Sequence, residues 1–286
     1  MSVLASIALA SSTAQARKVK QRLGPPKPDR LEFGVLPAVN YDTDLGFGFG
    51  AIASLAKFAT GFRPYKWRLE LLAQATVKQA PGGGAQFPFH DDYLNMDFPG
   101  LLANRLRITA RVGFRKFANT GYYGFGNDSR AEAPWQDIDP DEDLAGYQAA
   151  RRYHQFDHIY PLLLVNARIQ LWDRSTPAQR RRIEALVGIN ATYNVVRPYA
   201  GSKLEADIAS LAADTSDSRT LARLLRGTDP AALLVFNLGA LFDTRDHEYT
   251  PTRGTFTELS VRSSPGVQQD LRYAGLTLNT AWYKAI

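Results

Sequence analysis

Between Arg105 and Phe117 the chain alternates almost without fault. Leu106, Ile108, Ala110, Val112 and Phe114 share one face of an extended strand, while Arg105, Arg107, Thr109, Arg111, Gly113 and Arg115 share the other, because successive side chains of a strand leave opposite faces. The same rhythm runs through Trp67–Lys78, where only Leu72 breaks the polar register, and through 163–171, 185–195 and 276–283. A soluble sandwich alternates too, but it rarely lines one face of a strand with four arginines. A barrel in an outer membrane does so readily, since lipid takes the apolar face and a wet lumen the charged one. The pattern therefore predicts an all-β fold, an antiparallel transmembrane β-barrel of the outer-membrane type. Arg105, Arg107, Arg111 and Arg115 are expected to face its lumen.

Ten strands are predicted, over residues 31–42, 45–58, 66–79, 91–98, 104–118, 153–172, 182–197, 231–243, 254–264 and 271–285. The connections after the second, fourth, sixth and eighth are short. Those after the third, fifth and seventh are longer and hold Pro81-Gly82-Gly83-Gly84, residues 119–152 and residues 198–230. The first and ninth are tight. Short turns on one rim and long loops on the other are expected of an outer-membrane barrel.

Composition narrows the choice. The chain has 286 residues, of which 45% are hydrophobic, and its mean hydropathy is −0.26. No stretch approaches the ~20 apolar residues of a spanning helix, which excludes an α-helical membrane protein but not a barrel, whose lumen residues dilute the signal. Tyr65, Trp67, Tyr160, Trp172, Tyr193, Tyr199, Tyr273 and Trp282 lie near strand ends, where an interfacial aromatic girdle would put them. Cysteine is absent, which removes disulfides and thiolate metal sites and suits passage through an oxidising periplasm. The formal charge of +6 and pI near 9.5 raise nucleic acid as a partner. The basic residues alternate with apolar ones and form no continuous patch, however, so no nucleic-acid partner is expected.

The first residues read as an export signal. Val3–Ala10 form a short apolar core and Ala14-Gln15-Ala16 an A-x-A cleavage site. Residues 1–16 are thus read as a signal peptide, 17–30 as a Pro-rich basic tether and 31–286 as the barrel, exported through the periplasm to the outer membrane. Among the long loops, 131–145 carries Asp137, Asp139, Asp141, Glu142 and Asp143 without the ligand spacing or central Gly of a calcium loop, so a solvated acidic loop is expected and no metal or cofactor is assigned. The leucines of 203–226 suggest one or two short helices over the barrel mouth.

Three local motifs stand out. Phe242-Asp243-Thr244-Arg245-Asp246 is followed by Pro251-Thr252-Arg253-Gly254, combining carboxylates that bracket an arginine with a Pro-initiated turn and a Gly opening the next strand. Gly121-Tyr122-Tyr123-Gly124-Phe125-Gly126-Asn127 is a Gly/aromatic run after the most regular strand. Tyr41-Asp42 with Gly46, Gly48 and Gly50 forms an opening hairpin whose alternate glycines permit bending or close approach. The Asp243–Asp246 cluster either holds a turn through arginine–carboxylate pairs or sends Arg245 or Arg253 into the lumen.

Taken in this order over residues 31–286, the three motifs resemble the barrel domain of BamA/TamA-type outer-membrane proteins, the bacterial surface antigen family. The resemblance implies Asp243, Thr244, Arg245, Asp246, Pro251, Arg253 and Gly254 as a turn or lumen motif, and Gly121, Tyr123, Gly124, Gly126 and Asn127 as a second. It implies a role in outer-membrane protein assembly, insertion or translocation, with membrane lipid (lipopolysaccharide and phospholipid) and client outer-membrane or secreted proteins as partners. The chain departs from the family pattern in lacking an R-G-[FY] loop, a terminal aromatic residue and POTRA repeats. Ten strands also fall short of the family's sixteen. The expectation is a C-terminally truncated barrel, and the missing repeats leave a passive pore, anchor or surface antigen as the alternative.

Catalysis is not expected. No G-x-S-x-G occurs, and in one strand His154 and His158 would sit ~13 Å apart, too far to share a metal. An outer-membrane hydrolase is the remote alternative.

Overall fold

A computed structural model of the chain describes residues 28–62, 64–79, 84–124, 134–176, 179–211, 229–247, 250–266 and 272–284. The expected signal peptide, nearly all of the tether, Gly126 and Asn127 lie outside the described residues, as do 212–228 of the second long loop.

The fold is all-β. Ten strands form one sheet in sequence order, every neighbouring pair antiparallel. They are β1 Arg30–Asp42, β2 Gly46–Phe58, β3 Trp67–Gln79, β4 Ala85–Gly100, β5 Leu106–Gly121, β6 Gln155–Asp173, β7 Arg182–Pro198, β8 Ala231–Asp243, β9 Gly254–Pro265 and β10 Arg272–Tyr283. β1 pairs with β2 alone and β10 with β9 alone. Two short helices, α2 (Leu144–Arg151) and α3 (Lys203–Ser210), lie in the two long connections. The segment α1 (Leu101–Asn104), between β4 and β5, is a left-handed turn, with positive φ at Leu102, Ala103 and Asn104.

The ladders fix which residues share a face. Leu71 pairs with Ala53 and Leu94, Leu94 with Val112, and Val112 with Leu163. Leu163 then faces Ala191, Ala191 Leu234, and Leu238 Val261 and onward Leu276. This face is apolar and open, with Leu163 at 43%, Leu238 at 60% and Leu276 at 72% exposure. On the other face Leu186, Val235 and Leu241 are buried. A cavity of about 650 Å³ brings Thr109 of β5, Glu258 of β9 and Tyr273 of β10 onto one wall. Strands five apart in a flat sheet would lie ~24 Å from each other, so the sheet curls, with the buried face inside.

The outer face has a polar notch between β3, β4 and β5. His90 and Asp92 of β4 lie level with Lys116 and Phe114 of β5. Asp92 Oδ1 accepts the backbone N–H of Gln74 at 3.1 Å, between the paired positions Leu72–Tyr93 and Ala75–His90 of the β3–β4 ladder.

Two expectations need correction. β4 begins at Ala85, not near 91, so the connection after β3 is confined to residues 80–84 and only 122–154 and 199–230 are long. Three glycines and Pro88 disguise the start of the strand. Proline donates no ladder hydrogen bond and is tolerated at irregularities, and the register shifts at Thr76/Lys78 opposite Pro88. The second correction concerns the aromatic girdle. Tyr65 bonds Asp97 on the inner face, Tyr160 stacks on His158 inside, Tyr273 lines the inner cavity, and Tyr199 is drawn to Ala118 and Asp157. Trp67, Trp172 and Trp282 pair with the outer-face positions Lys57, Ile183 and Thr255 at the rim that carries the short turns, and Tyr193 stands exposed on the outer face toward the opposite rim.

Candidate functional site

The arginine face of β5 is matched by β4. Asp91 lies opposite Arg115, Asn95 opposite Arg111 and Asp97 opposite Thr109. Arg115 Nε donates to Asp91 Oδ1 at 2.8 Å and Arg111 Nε to Asn95 Oδ1 at 2.5 Å. Arg107 donates twice to Asp97, at 2.9 and 2.7 Å, the planar fork meeting both carboxylate oxygens. The Arg111 guanidinium also lies over the Tyr93 ring, 4.3 Å from its centroid. Arg107, Arg111 and Arg115 do line the inner face, but as members of a hydrogen-bonded network, Arg107 and Arg115 against carboxylates and Arg111 against the neutral Asn95 amide. Arg105 differs: it precedes the strand and stands exposed at the short-turn rim. Sequence reasoning missed the partners Asp91, Asn95 and Asp97, although their own alternation was the signal.

The Asp243–Gly254 segment is a stapled hairpin at that same rim. Asp243, 1% exposed, accepts from Arg245 Nε at 2.8 Å and Nη2 at 3.0 Å and from the Arg245 backbone at 3.1 Å. Arg182 and Arg180 reach Oδ2, the oxygen that also takes Arg245 Nη2, at 3.5 and 3.6 Å. Arg245 in turn lies over the Phe256 ring at 4.5 Å. Thr244 and Thr255 exchange backbone and hydroxyl hydrogen bonds at 2.8 Å.

Asp246 gathers the backbone N–H groups of His247, Thr252 and Arg253 and the Thr252 hydroxyl at 2.5 Å. The hydroxyl and those N–H bonds hold its carboxyl well below the usual carboxylate range. Pro251 opens the return of the turn, and Gly254 closes it with φ +106, where a Cβ would collide with the Thr244 carbonyl oxygen. In this arrangement Asp243 draws on Arg245 from its own turn and on arginines of the β6–β7 turn, and Arg180 N–H also donates to Arg245 O at 3.2 Å.

The second motif lies at the opposite rim. Gly121 ends β5, and Tyr122 and His154 bind each other through backbone N–H to carbonyl (2.7 Å) and imidazole Nδ1 to carbonyl (3.1 Å). The rings of Tyr123, Trp135 and Tyr153 box His154 at 4.9, 5.4 and 4.9 Å, leaving it 3% exposed. The Tyr122 hydroxyl donates to Asp207 of α3 at 2.8 Å; burial first, and then this carboxylate, push its pKa up. Gly124, at φ +83, lies against Lys203 of the same helix. The hydroxyl of Tyr199, whose pKa is likewise raised by burial and by Asp157, meets Ala118 O at 2.6 Å. α2 reaches the β1–β2 turn: its Arg151 pairs with Asp44 at 2.8 Å, and Lys78 Nζ donates to Asp44 O at 2.7 Å.

The remaining candidates are scattered. His154 ends a 3-10 turn before β6 and so shares no strand face with His158, which bonds Asn194 at 3.1 Å. In the acidic loop, Asp139 accepts from Asp141 N–H and Asp143 caps α2. Among the described residues no three His, Asp or Glu side chains converge as metal ligands. A cavity of about 410 Å³ opens at the short-turn rim, walled by Arg105, Arg107, Arg168, Arg180 and Arg182 with Asp173 and Glu184. A scan of the sequence against protein-family models finds no match, and a search of curated proteins finds no relative.

Proposed function

We propose that the chain is an integral outer-membrane β-protein, similar to the barrels of the BamA/TamA surface antigen family, whose curled sheet faces lipid outside and a watery lumen inside. The observation that carries this reading is the open apolar outer face. Water-soluble chains rarely expose contiguous apolar patches beyond a few hundred Å², yet here large aliphatic side chains stand exposed on strand after strand while the arginines of β5 and the acids opposite them turn inward. The outer positions of β3 run apolar from Trp67 to Val77, which is ~33 Å of strand. Tilted by ~40°, that is ~25 Å of height, the size of an outer-membrane apolar band. The tryptophans at one rim suit an interface.

The role follows the resemblance: assembly, insertion or translocation of outer-membrane or secreted proteins, with lipopolysaccharide and phospholipid against the outer face. One observation favours the second reading, a passive barrel or anchor. α2 is latched to the β1–β2 turn at the long-loop rim, and in this reading it narrows any through passage.

The test is refolding into liposomes of brominated phospholipid. Emission of Trp67, Trp172 and Trp282 is expected to be quenched, Trp282→Phe removing part of the quenched signal. A monomer that stays dispersed in detergent-free buffer and is not quenched overturns the proposal.

A further inference from the structure

The 410 Å³ cavity at the short-turn rim is walled by more arginines than acids. Five arginines wall it, contributed by the start of β5, the end of β6 and the start of β7. Three carboxylates pair with them, and a fourth, Asp173, lines the wall. Arg107 is held by Asp97, Arg168 and Arg182 by Glu184, and Arg180 and Arg182 by Asp243. Asp173 is engaged by the Ser175 backbone N–H at 2.7 Å. Asp243 is shared further with Arg245, which brings a sixth positive charge against four negative ones. Arg105 stands at the cavity edge without a carboxylate among the described residues.

We infer that this cavity binds a phosphate-bearing oxyanion, of the size and charge of a diphosphate group. The arginine fork presents paired donors to oxyanion edges, and four of the five forks are already oriented by carboxylates behind them, so little ordering remains to be done on binding. The volume equals about 14 waters at ~30 Å³ each, more than a single phosphate fills. The cavity lies on the inner side of the sheet, away from the apolar face, which favours a water-borne phosphate over a lipid headgroup. The inference goes beyond the membrane reading and does not depend on it.

The test is calorimetric titration of the folded full-length chain, in neutral detergent, with sodium pyrophosphate. Saturable binding is expected that weakens as salt rises. Arg105→Gln, at an exposed rim position, weakens it without altering the circular dichroism spectrum. Arg105→Gln with Arg180→Gln weakens it about tenfold or more, the cost of losing charge-assisted hydrogen bonds. Arg111→Gln, on the inner face but outside this cavity, leaves it unchanged. Competition by phosphatidic acid in the micelle assigns the phosphate to a headgroup, and lack of competition to a soluble solute. Heat no greater than with chloride at equal ionic strength, or equal weakening by Arg111→Gln, overturns the inference.

Discussion

Arg151 of α2 lies 2.8 Å from Asp44 in the β1–β2 turn, a contact between residues 107 positions apart. It joins a loop helix to the far side of the sheet, and both side chains are about one-third exposed. Pairs so exposed are worth up to ~1 kcal/mol. Arg151→Ala is therefore expected to leave the melting temperature almost unchanged while raising hydrogen exchange and protease cleavage in 134–154. The swapped pair Arg151→Asp with Asp44→Arg should restore protection. Unaltered exchange in the single variant would show that α2 is held by other contacts.

Asp243 is the reverse case, a carboxylate 1% exposed with three arginines against it. Removing one partner of a buried ion pair leaves uncompensated charge and costs ~3–5 kcal/mol. Asp243→Asn should lower the urea midpoint of the detergent-folded protein accordingly. Asp91→Asn removes only one of Arg115's two partners, since the Tyr160 hydroxyl remains at 3.4 Å, and should cost clearly less. Equal midpoints for the two variants would contradict the convergence on Asp243.

The turn beyond it titrates in a defined direction. Asp246 has a carboxyl pKa depressed in the fold by its hydrogen bonds from Thr252, Arg253 and His247. The charged form is therefore preferred by the folded turn. Its contribution is complete above the ordinary carboxylate pKa of ~4 and fades as pH falls toward the lowered folded value. Amide exchange at Thr252 and Arg253, corrected for intrinsic rate, should accelerate below about pH 4, and Asp246→Asn should show the faster exchange already at neutral pH.

The strand pattern was legible because most outer-face positions are apolar at every second residue, with β3, β7 and β8 following it most regularly. The first turns of β4 were not, since three glycines and Pro88 mimic a loop, and the bulge that admits Pro88, two β4 residues against Val77 of β3, emerges only from the ladder. The arginines of β5 could be placed on one face, but not paired. Their acids lie in a different strand, and the register that sets Asp91 against Arg115 emerges only from the ladder. The Asp243 motif showed its carboxylates and its Gly in the sequence. The convergence of Arg180 and Arg182 on it depends on two turns meeting at one rim, and the long-range latch from Arg151 to Asp44 carries no local signal at all.

Gly254 opens β9 at φ +106, where a Cβ would strike the Thr244 carbonyl oxygen. Gly254→Ala must either strain the backbone, at ~1–3 kcal/mol, or break the Thr244–Thr255 bonds. Slower refolding yield and a lower urea midpoint are expected, with the circular dichroism of the folded fraction unchanged. A midpoint equal to that of the unmodified chain would mean the turn has an alternative conformation.

The last prediction separates lipid from water at the outer face. Leu163, 43% exposed, sits mid-strand between Val112 and Ala191. If water bathed this face, Leu163→Arg would change stability by no more than ~0.5 kcal/mol, as for most surface substitutions. If acyl chains bathe it, an arginine near the bilayer midplane costs ~2–4 kcal/mol. The same change at the exposed rim position Leu101 should cost little in either medium. Unfolding by urea from liposomes is the measurement: a large loss for Leu163→Arg with a small one for Leu101→Arg places the apolar face in lipid, and near-equal small losses remove the membrane reading.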